Sequence, residues 1–192
     1  MHEDESLWLK QSQQGNAHAF TRIVEKYEKP VFSLCYRMLG NSEDAEDAAQ
    51  ETFLRAFKNI NRFDERRSFS TWLLSIAAHY CIDQHRRQRY RIVSIEDLPM
   101  PDLPDNSPGL ELRISNTQDR ERVQNLLKIL NAVDKAIVIL YYWNEFSYQE
   151  ICQSLSLSES AVKSRLHRAK RAMARRWQEL YAEGGIAERM VA

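Results

Sequence analysis

The chain has 192 residues, 43% hydrophobic and 28% charged, enough apolar material for one medium or two small cores. Five Gly and five Pro exclude collagen-like and low-complexity architectures, and the longest apolar run, residues 136–143, is far short of the about 20 residues a membrane-spanning helix needs. Net charge is zero, 27 basic against 27 acidic residues, which argues against a free-standing nucleic-acid binder, usually basic.

The first residues are acidic, with no basic segment leading into an apolar stretch, so no signal peptide is expected. Cys35, Cys81 and Cys152 form no C-x-x-C pair. That spacing suits reduced thiols in a cytoplasmic protein. Phe20, Ile23, Val24 and Tyr27 then recur at helical spacing, as do Ala49, Phe53, Ala56, Phe57 and Ile60, and again Phe69, Leu73, Ile76, Ala77 and Tyr80. These are the apolar stripes of amphipathic helices on a shared core. Alternating β-branched segments are lacking, so the expected fold class is all-α.

Charge is sorted along this helical chain. Residues 41–51 hold five acids and no base, 62–91 seven Arg against three acids, 96–121 seven acids against two Arg, and 163–176 seven bases and no acid. Blocks of alternating sign suit a protein that meets both an anionic and a cationic partner. On the helix opening near Ser42, the face away from the stripe carries Asp47, Gln50, Glu51 and Leu54. An apolar Leu54 on a charged face marks a protein-docking surface.

Residues 61–68 are too polar to continue that helix and are expected to loop. Beyond them Trp72, Ser75, His79, Asp83 and Arg86 line one face and lead into Arg87. Aromatic side chains interleaved with bases suit stacked, unpaired nucleotides and their phosphates. For Trp72, burial in the core is an equal alternative. Cys81 and His85 make only half of a metal site, with His79 on another face, so no metal and no cofactor are expected.

Pro99, Pro101, Pro104 and Pro108 fall among acids and exclude a continuous helix there. The expected organisation is therefore two small helical domains, 5–91 and 115–182, joined by an acidic, Pro-rich linker over 92–114 and followed by a tail, 183–192. In the second domain Ser147-Tyr148-Gln149-Glu150 has the form of a capping box. Ile151 and Leu155 face inward, and a turn ends in Ser158 as N-cap. The next helix buries Val162, Leu166 and Ala169 and shows Lys163, Ser164, Arg165, His167, Arg168, Lys170 and Arg171. Two short helices across a three-residue turn, the second basic, form a helix-turn-helix for the DNA major groove.

Three motifs in register carry a resemblance. Asp44-Ala45-Glu46-Asp47-Ala48-Ala49-Gln50-Glu51-Thr52-Phe53, then Phe69-Ser70-Thr71-Trp72-Leu73-Leu74-Ser75-Ile76-Ala77, then Ser147-Tyr148-Gln149-Glu150-Ile151 with Ala161-Val162-Lys163-Ser164-Arg165-Leu166-His167-Arg168-Ala169 resemble the extracytoplasmic-function (ECF) sigma factors. These are bacterial transcription-initiation subunits with only the second and fourth sigma domains. The resemblance implies that Asp44, Asp47, Gln50, Glu51 and Leu54 dock on the clamp helices of the RNA polymerase largest subunit. It implies that the loop Arg62, Phe63, Asp64, Arg66, Arg67 and Ser68 captures a flipped base of the −10 element. Trp72, Ser75, His79, Arg86 and Arg87 would then hold the melted strand. Ser158, Ser160, Lys163, Ser164, Arg165, His167, Arg168, Lys170 and Arg171 would contact the −35 element. Implied partners are polymerase core, including its flap, promoter DNA and an anti-sigma factor, with no membrane insertion.

A free-standing helix-turn-helix regulator, dimeric and binding DNA without polymerase, is the alternative. It leaves the acidic docking face unexplained. No Gly-rich phosphate loop, nucleophile–His arrangement or metal quartet is present, so no enzymatic activity is expected.

Overall fold

The computed structural model describes residues 2–93 and 114–182. Among these there are eight α-helices and no strand: α1 (His2–Gln13), α2 (Ala17–Leu39), α3 (Ser42–Asn59), α4 (Phe69–Val93), α5 (Ile114–Lys128), α6 (Ala132–Trp143), α7 (Tyr148–Leu155) and α8 (Glu159–Trp177). Short helical turns follow α3 at Ile60–Arg62 and α8 at Gln178–Ala182. The expected linker and tail fall almost wholly outside the described residues. At the linker's edges, Ile92 and Val93 extend α4, and Ile114 opens α5.

Local chemistry sets the helix boundaries. Asn16, Asn41, Asn131, Ser147 and Ser158 each accept a backbone N–H with the side chain at an N-cap. At Ser147 the expected capping box forms in full, with Ser147 N donating to Glu150 Oε2 at 2.9 Å. Gly40 ends α2 in the left-handed region, φ 88°, and its N–H reaches the Tyr36 carbonyl at 2.8 Å. A side chain is strained there, which is why glycine stands at this end.

In the first unit, α2 buries Phe20, Ile23, Tyr27, Val31, Leu34 and Met38 against α3 and α4. α3 presents Ala45, Ala48, Ala49, Thr52 and Ala56. Small side chains bring two helix axes close and leave little room for rings between them. Phe57, expected in the stripe, is accordingly pushed to the margin: it is 41% exposed and lies edge-on to Phe20, centroids 4.9 Å apart.

The second unit packs α6 against α7 and α8, burying Ile151, Leu155, Val162, Leu166 and Ala169 as expected. In α6, Ala136, Ile137, Val138, Ile139 and Leu140 are all buried. Five consecutive positions turn through more than a full circle of a helix, so α6 is covered on several sides. The other cover comes from α2 and α4 of the first unit. A single apolar cluster thus runs through both units.

Candidate functional site

Three surfaces carry the candidate residues. On α3, Asp47 and Gln50 are exposed, Glu51 is half-buried and Leu54 is 53% exposed. These four share one helix face, Leu54 standing uncovered among the polar groups. Their electrostatic freedom differs. Asp44 is held by Asn41, which donates to its Oδ2 at 2.6 Å, and Glu51 accepts from Arg55 at 2.7 Å. Asp47 has no ion-pair partner among the described residues. Beside this face lies a groove of about 380 Å³, floored by Val24, Phe32, Ala49 and Phe53 and edged by Gln50.

The loop before α4 is built by two of the candidate residues. Asp64 accepts the Arg66 N–H at 3.0 Å, and its carbonyl accepts from Arg67 N at 2.9 Å, so its carboxylate shapes the turn. Ser68 accepts from Thr71 N at 3.5 Å and shares a 2.9 Å contact with the Ser70 hydroxyl. Arg62, Arg66 and Arg67 are exposed. Phe63 is not: it is buried, 5.2 Å from both the Phe69 and the Trp72 rings. Its position corrects the expectation that it faces a nucleotide. An aromatic ring in a polar loop lowers its free energy by reaching the nearest apolar surface, here the start of α4.

Along α4, Trp72 is half-buried and packs on Phe63 and Phe69. The expectation of burial holds in part: one side of the ring is core, and the other lines a cleft. Ser75 donates to the Trp72 carbonyl at 2.7 Å, and His79, exposed, has Nδ1 2.8 Å from the Ser75 carbonyl. Arg86 pairs with Asp83 at 3.3 Å, and Arg87 is exposed. His79, Cys81 and His85 do not converge, and no group of three or more His, Cys, Asp or Glu among the described residues is placed to hold a metal ion.

The cleft, about 250 Å³, has Arg66, Arg67, Trp72 and Ser75 on one wall and Glu150 and Ser154 of α7 on the other. Thr71 Oγ1 donates across it to Glu150 Oε1 at 2.9 Å. Burial pushes the Glu150 carboxyl up, but the Ser147 N–H and hydroxyl and the Thr71 hydroxyl outweigh it and leave it below the usual carboxylate range. No residue-level signal in the sequence announces this contact, since Thr71 and Glu150 lie in different domains.

On α8, Ser164, His167, Arg168, Lys170 and Arg171 point to solvent. Lys163 is exposed but bound to Glu159 at 2.6 Å, with its ammonium 5.5 Å from the Tyr148 ring. Ser158 spends its hydroxyl on the cap of α8 and lies 3.1 Å from Ser160 Oγ. Arg165 departs from the expected outward face. It turns back to Asp134 of α6 at 2.8 Å, two-thirds covered, and so ties α8 to α6.

Residues 23–91 match the family model described as Sigma-70 region 2, and residues 120–173 that of Sigma-70, region 4. The chain is 36% identical over 187 residues to the ECF RNA polymerase sigma factor SigW of Bacillus subtilis, covering 90% of this chain and 96% of that one. It is 31% identical over 169 residues to SigX of the same organism, 85% and 86% covered. Among solved structures, CnrH in complex with the cytosolic domain of CnrY is similar at a TM-score of 0.68 and 21% identity, over 92% of this chain and 99% of that one. The sigma factor RpoE of Bartonella quintana, in complex with the anti-sigma factor NepR, is similar at 0.63 and 20%, over 84% and 95%.

Proposed function

The chain belongs to the ECF RNA polymerase sigma factors, initiation factors that bind polymerase and direct it to promoters, and from that premise we propose how its surfaces divide the work. Residues 5–91 dock on polymerase core and hold the melted −10 strand, residues 115–182 read the −35 element, and 92–114 tether them. The acidic face of α3, with Asp47, Gln50, Glu51 and Leu54, meets the basic clamp helices of the largest subunit, and the neighbouring apolar groove extends that surface. Arg62, Arg66 and Arg67 with the open side of Trp72 and with Ser75, His79, Arg86 and Arg87 take the unpaired strand. Its bases stack on the ring and its phosphates meet the guanidinium groups.

One observation carries the reading: an uncovered acidic–apolar face on α3 and an uncovered basic face on α8 stand on the two segments that match regions 2 and 4, in that order. Such a protein works by docking and recognition, with no chemistry of its own, and its place is the cytoplasm. Among the described residues no helix is long and apolar enough to cross a membrane. An anti-sigma factor is a proposed partner, since CnrH and RpoE are described in complex with CnrY and NepR.

The test is reconstitution: purified protein with bacterial core polymerase on fragmented genomic DNA, with transcript 5′ ends sequenced. Discrete 5′ ends sharing two upstream motifs are expected. Specific DNA binding without polymerase and without initiation would overturn the reading in favour of a free-standing regulator. Within the −35 surface, Arg168 is the exposed arginine nearest the start of α8 that no described carboxylate engages. Arg168→Ala is expected to cost about 1–3 kcal/mol of discrimination at one −35 base pair. Competition binding of holoenzyme to singly substituted promoter fragments checks this, and a uniform loss across all fragments would make Arg168 a phosphate contact.

A further inference from the structure

The segment that matches region 2 opens at residue 23, so α1 stands before it, and none of the three sequence motifs includes α1. The helix is nonetheless built into the first unit. Leu9 is buried, the Tyr27 hydroxyl of α2 donates to Glu5 Oε1 at 2.9 Å, and Lys26 pairs with the same carboxylate. Ser12, 1% exposed, returns its hydroxyl to the Trp8 carbonyl at 2.6 Å. Gly15 then turns the chain in the left-handed region, φ 88°, just past the last residue of α1, Gln13.

Gln13, half-buried at that end, bonds to a distant part of the chain. Its Nε2 donates to the Ile60 carbonyl at 3.2 Å and to the Phe63 carbonyl at 3.3 Å, 47 and 50 positions further on. A primary amide has two hydrogens, one for each oxygen. The two carbonyls bracket the step at which the turn after α3 gives way to the loop before α4. The Phe63 carbonyl shares a peptide plane with Asp64 N, and Asp64 in turn accepts the Arg66 and Arg67 N–H groups. On the other side the Phe63 ring is seated on Phe69 and Trp72. One carboxamide therefore fixes the entry to the segment that presents Arg62, Arg66 and Arg67. Further along α1, Ser6 and Leu9 face Arg67 and Phe69 across a cleft of about 190 Å³.

We propose that Gln13 is a positioning residue for promoter recognition, its carboxamide holding residues 62–68 in the shape that receives the unpaired −10 strand. The proposal rests on the reading of that loop as part of the strand-binding face. A loop left free loses conformational entropy when the strand binds, whereas a held loop has already lost it on folding. Gln13 acts through the loop and not on the nucleic acid, since its donors are committed to the two carbonyls.

Hydrogen exchange of the full chain, read by mass spectrometry, tests the hold. Gln13→Ala is expected to speed exchange of the Arg66 and Arg67 amides about tenfold, the scale that two net hydrogen bonds set. The anchors of α1 at Glu5 and Leu9 are untouched, so exchange in α2 and α4 is expected to stay as in wild type. In reconstituted holoenzyme, a fluorescent oligonucleotide with the non-template −10 sequence of a promoter mapped by 5′-end sequencing reads the consequence. Gln13→Ala is expected to bind it about tenfold more weakly, as when the competent fraction falls from near unity to about a tenth. Its preference for that strand over the same strand made abasic at each −10 position should flatten. Affinity for core polymerase and discrimination at the −35 element are expected to be unchanged. Gln13→Glu, of equal size, sets carboxylate oxygens against two carbonyl oxygens and is expected to lose at least as much as alanine. Gln13→Lys keeps a donor at slightly longer reach and is expected to restore strand binding to near the wild-type value.

Wild-type exchange in Gln13→Ala would overturn the hold. Faster exchange with unchanged strand affinity would overturn the positioning, and the strand reading of the loop stands if Arg67→Ala weakens that affinity. Loss of strand binding in neither Gln13→Ala nor Arg67→Ala would instead overturn the reading of the loop itself. Equal losses in Gln13→Lys and Gln13→Glu, or a parallel loss of core and −35 binding in Gln13→Ala, would reduce Gln13 to a packing residue and overturn the proposal.

Discussion

Asp47→Lys is expected to weaken binding to polymerase core about 100-fold, with helix content unchanged by circular dichroism. Co-elution and titration against labelled core provide the measurement. The side chain is exposed on α3 and engages no described cation, so the substitution removes no internal contact. Asp44 makes a poorer probe because its carboxylate holds Asn41 at the start of the helix, and Glu51 because Arg55 neutralises it. Placing a like charge against basic clamp helices costs several kcal/mol at an interface, and about 2.8 kcal/mol is a factor of 100. Unchanged affinity would remove α3 from the docking surface. Leu54→Ala, on the same face, then separates apolar from electrostatic docking by its insensitivity to salt.

Ile137→Ala is expected to destabilise the fold by about 2–5 kcal/mol. Ile137 is 0% exposed in α6, between the helix-turn-helix and the first unit. Truncation removes three carbons at a point where neither side can collapse freely. In a chain of this size each kcal/mol shifts the melting midpoint by about 2–4 °C, so thermal unfolding should move down by roughly 10 °C. Phe57→Ala, a larger truncation at a site 41% exposed, should cost less. The reverse order would mean that α6 is not under cover from both units.

The helical periods are legible in the sequence wherever one core supplies the burial. The Phe20 and Phe69 stripes, the Ser147 capping box and the Ser158 cap all depend on neighbours within a few residues, and each forms. What escapes is set by partners far along the chain. Arg165 reads as one more base on a basic face until Asp134, 31 positions earlier, turns it inward. Lys135 stands in none of the sequence motifs, yet the end of α2, 97 positions away, buries it. Phe63 hides in a polar loop whose composition says nothing of the aromatic pair beneath it. One signal was available and points to the cover that α6 receives from both units. The run 136–143 is too short for a membrane, but a helix apolar on every side needs cover on every side. The linker, but for its edges, and the tail lie outside the described residues.

Because α6 is wrapped in greasy side chains on the face it turns to α2 and α4, parting the two units wets hydrocarbon that neither unit alone can keep dry. Hydration of that surface raises the heat capacity, and apolar association of this kind weakens on cooling. The balance between joined and parted forms is therefore bowed in temperature, loosened by chill as well as by heat. The chain carries, in one short helix, a response to cold that no polar contact at the boundary would produce.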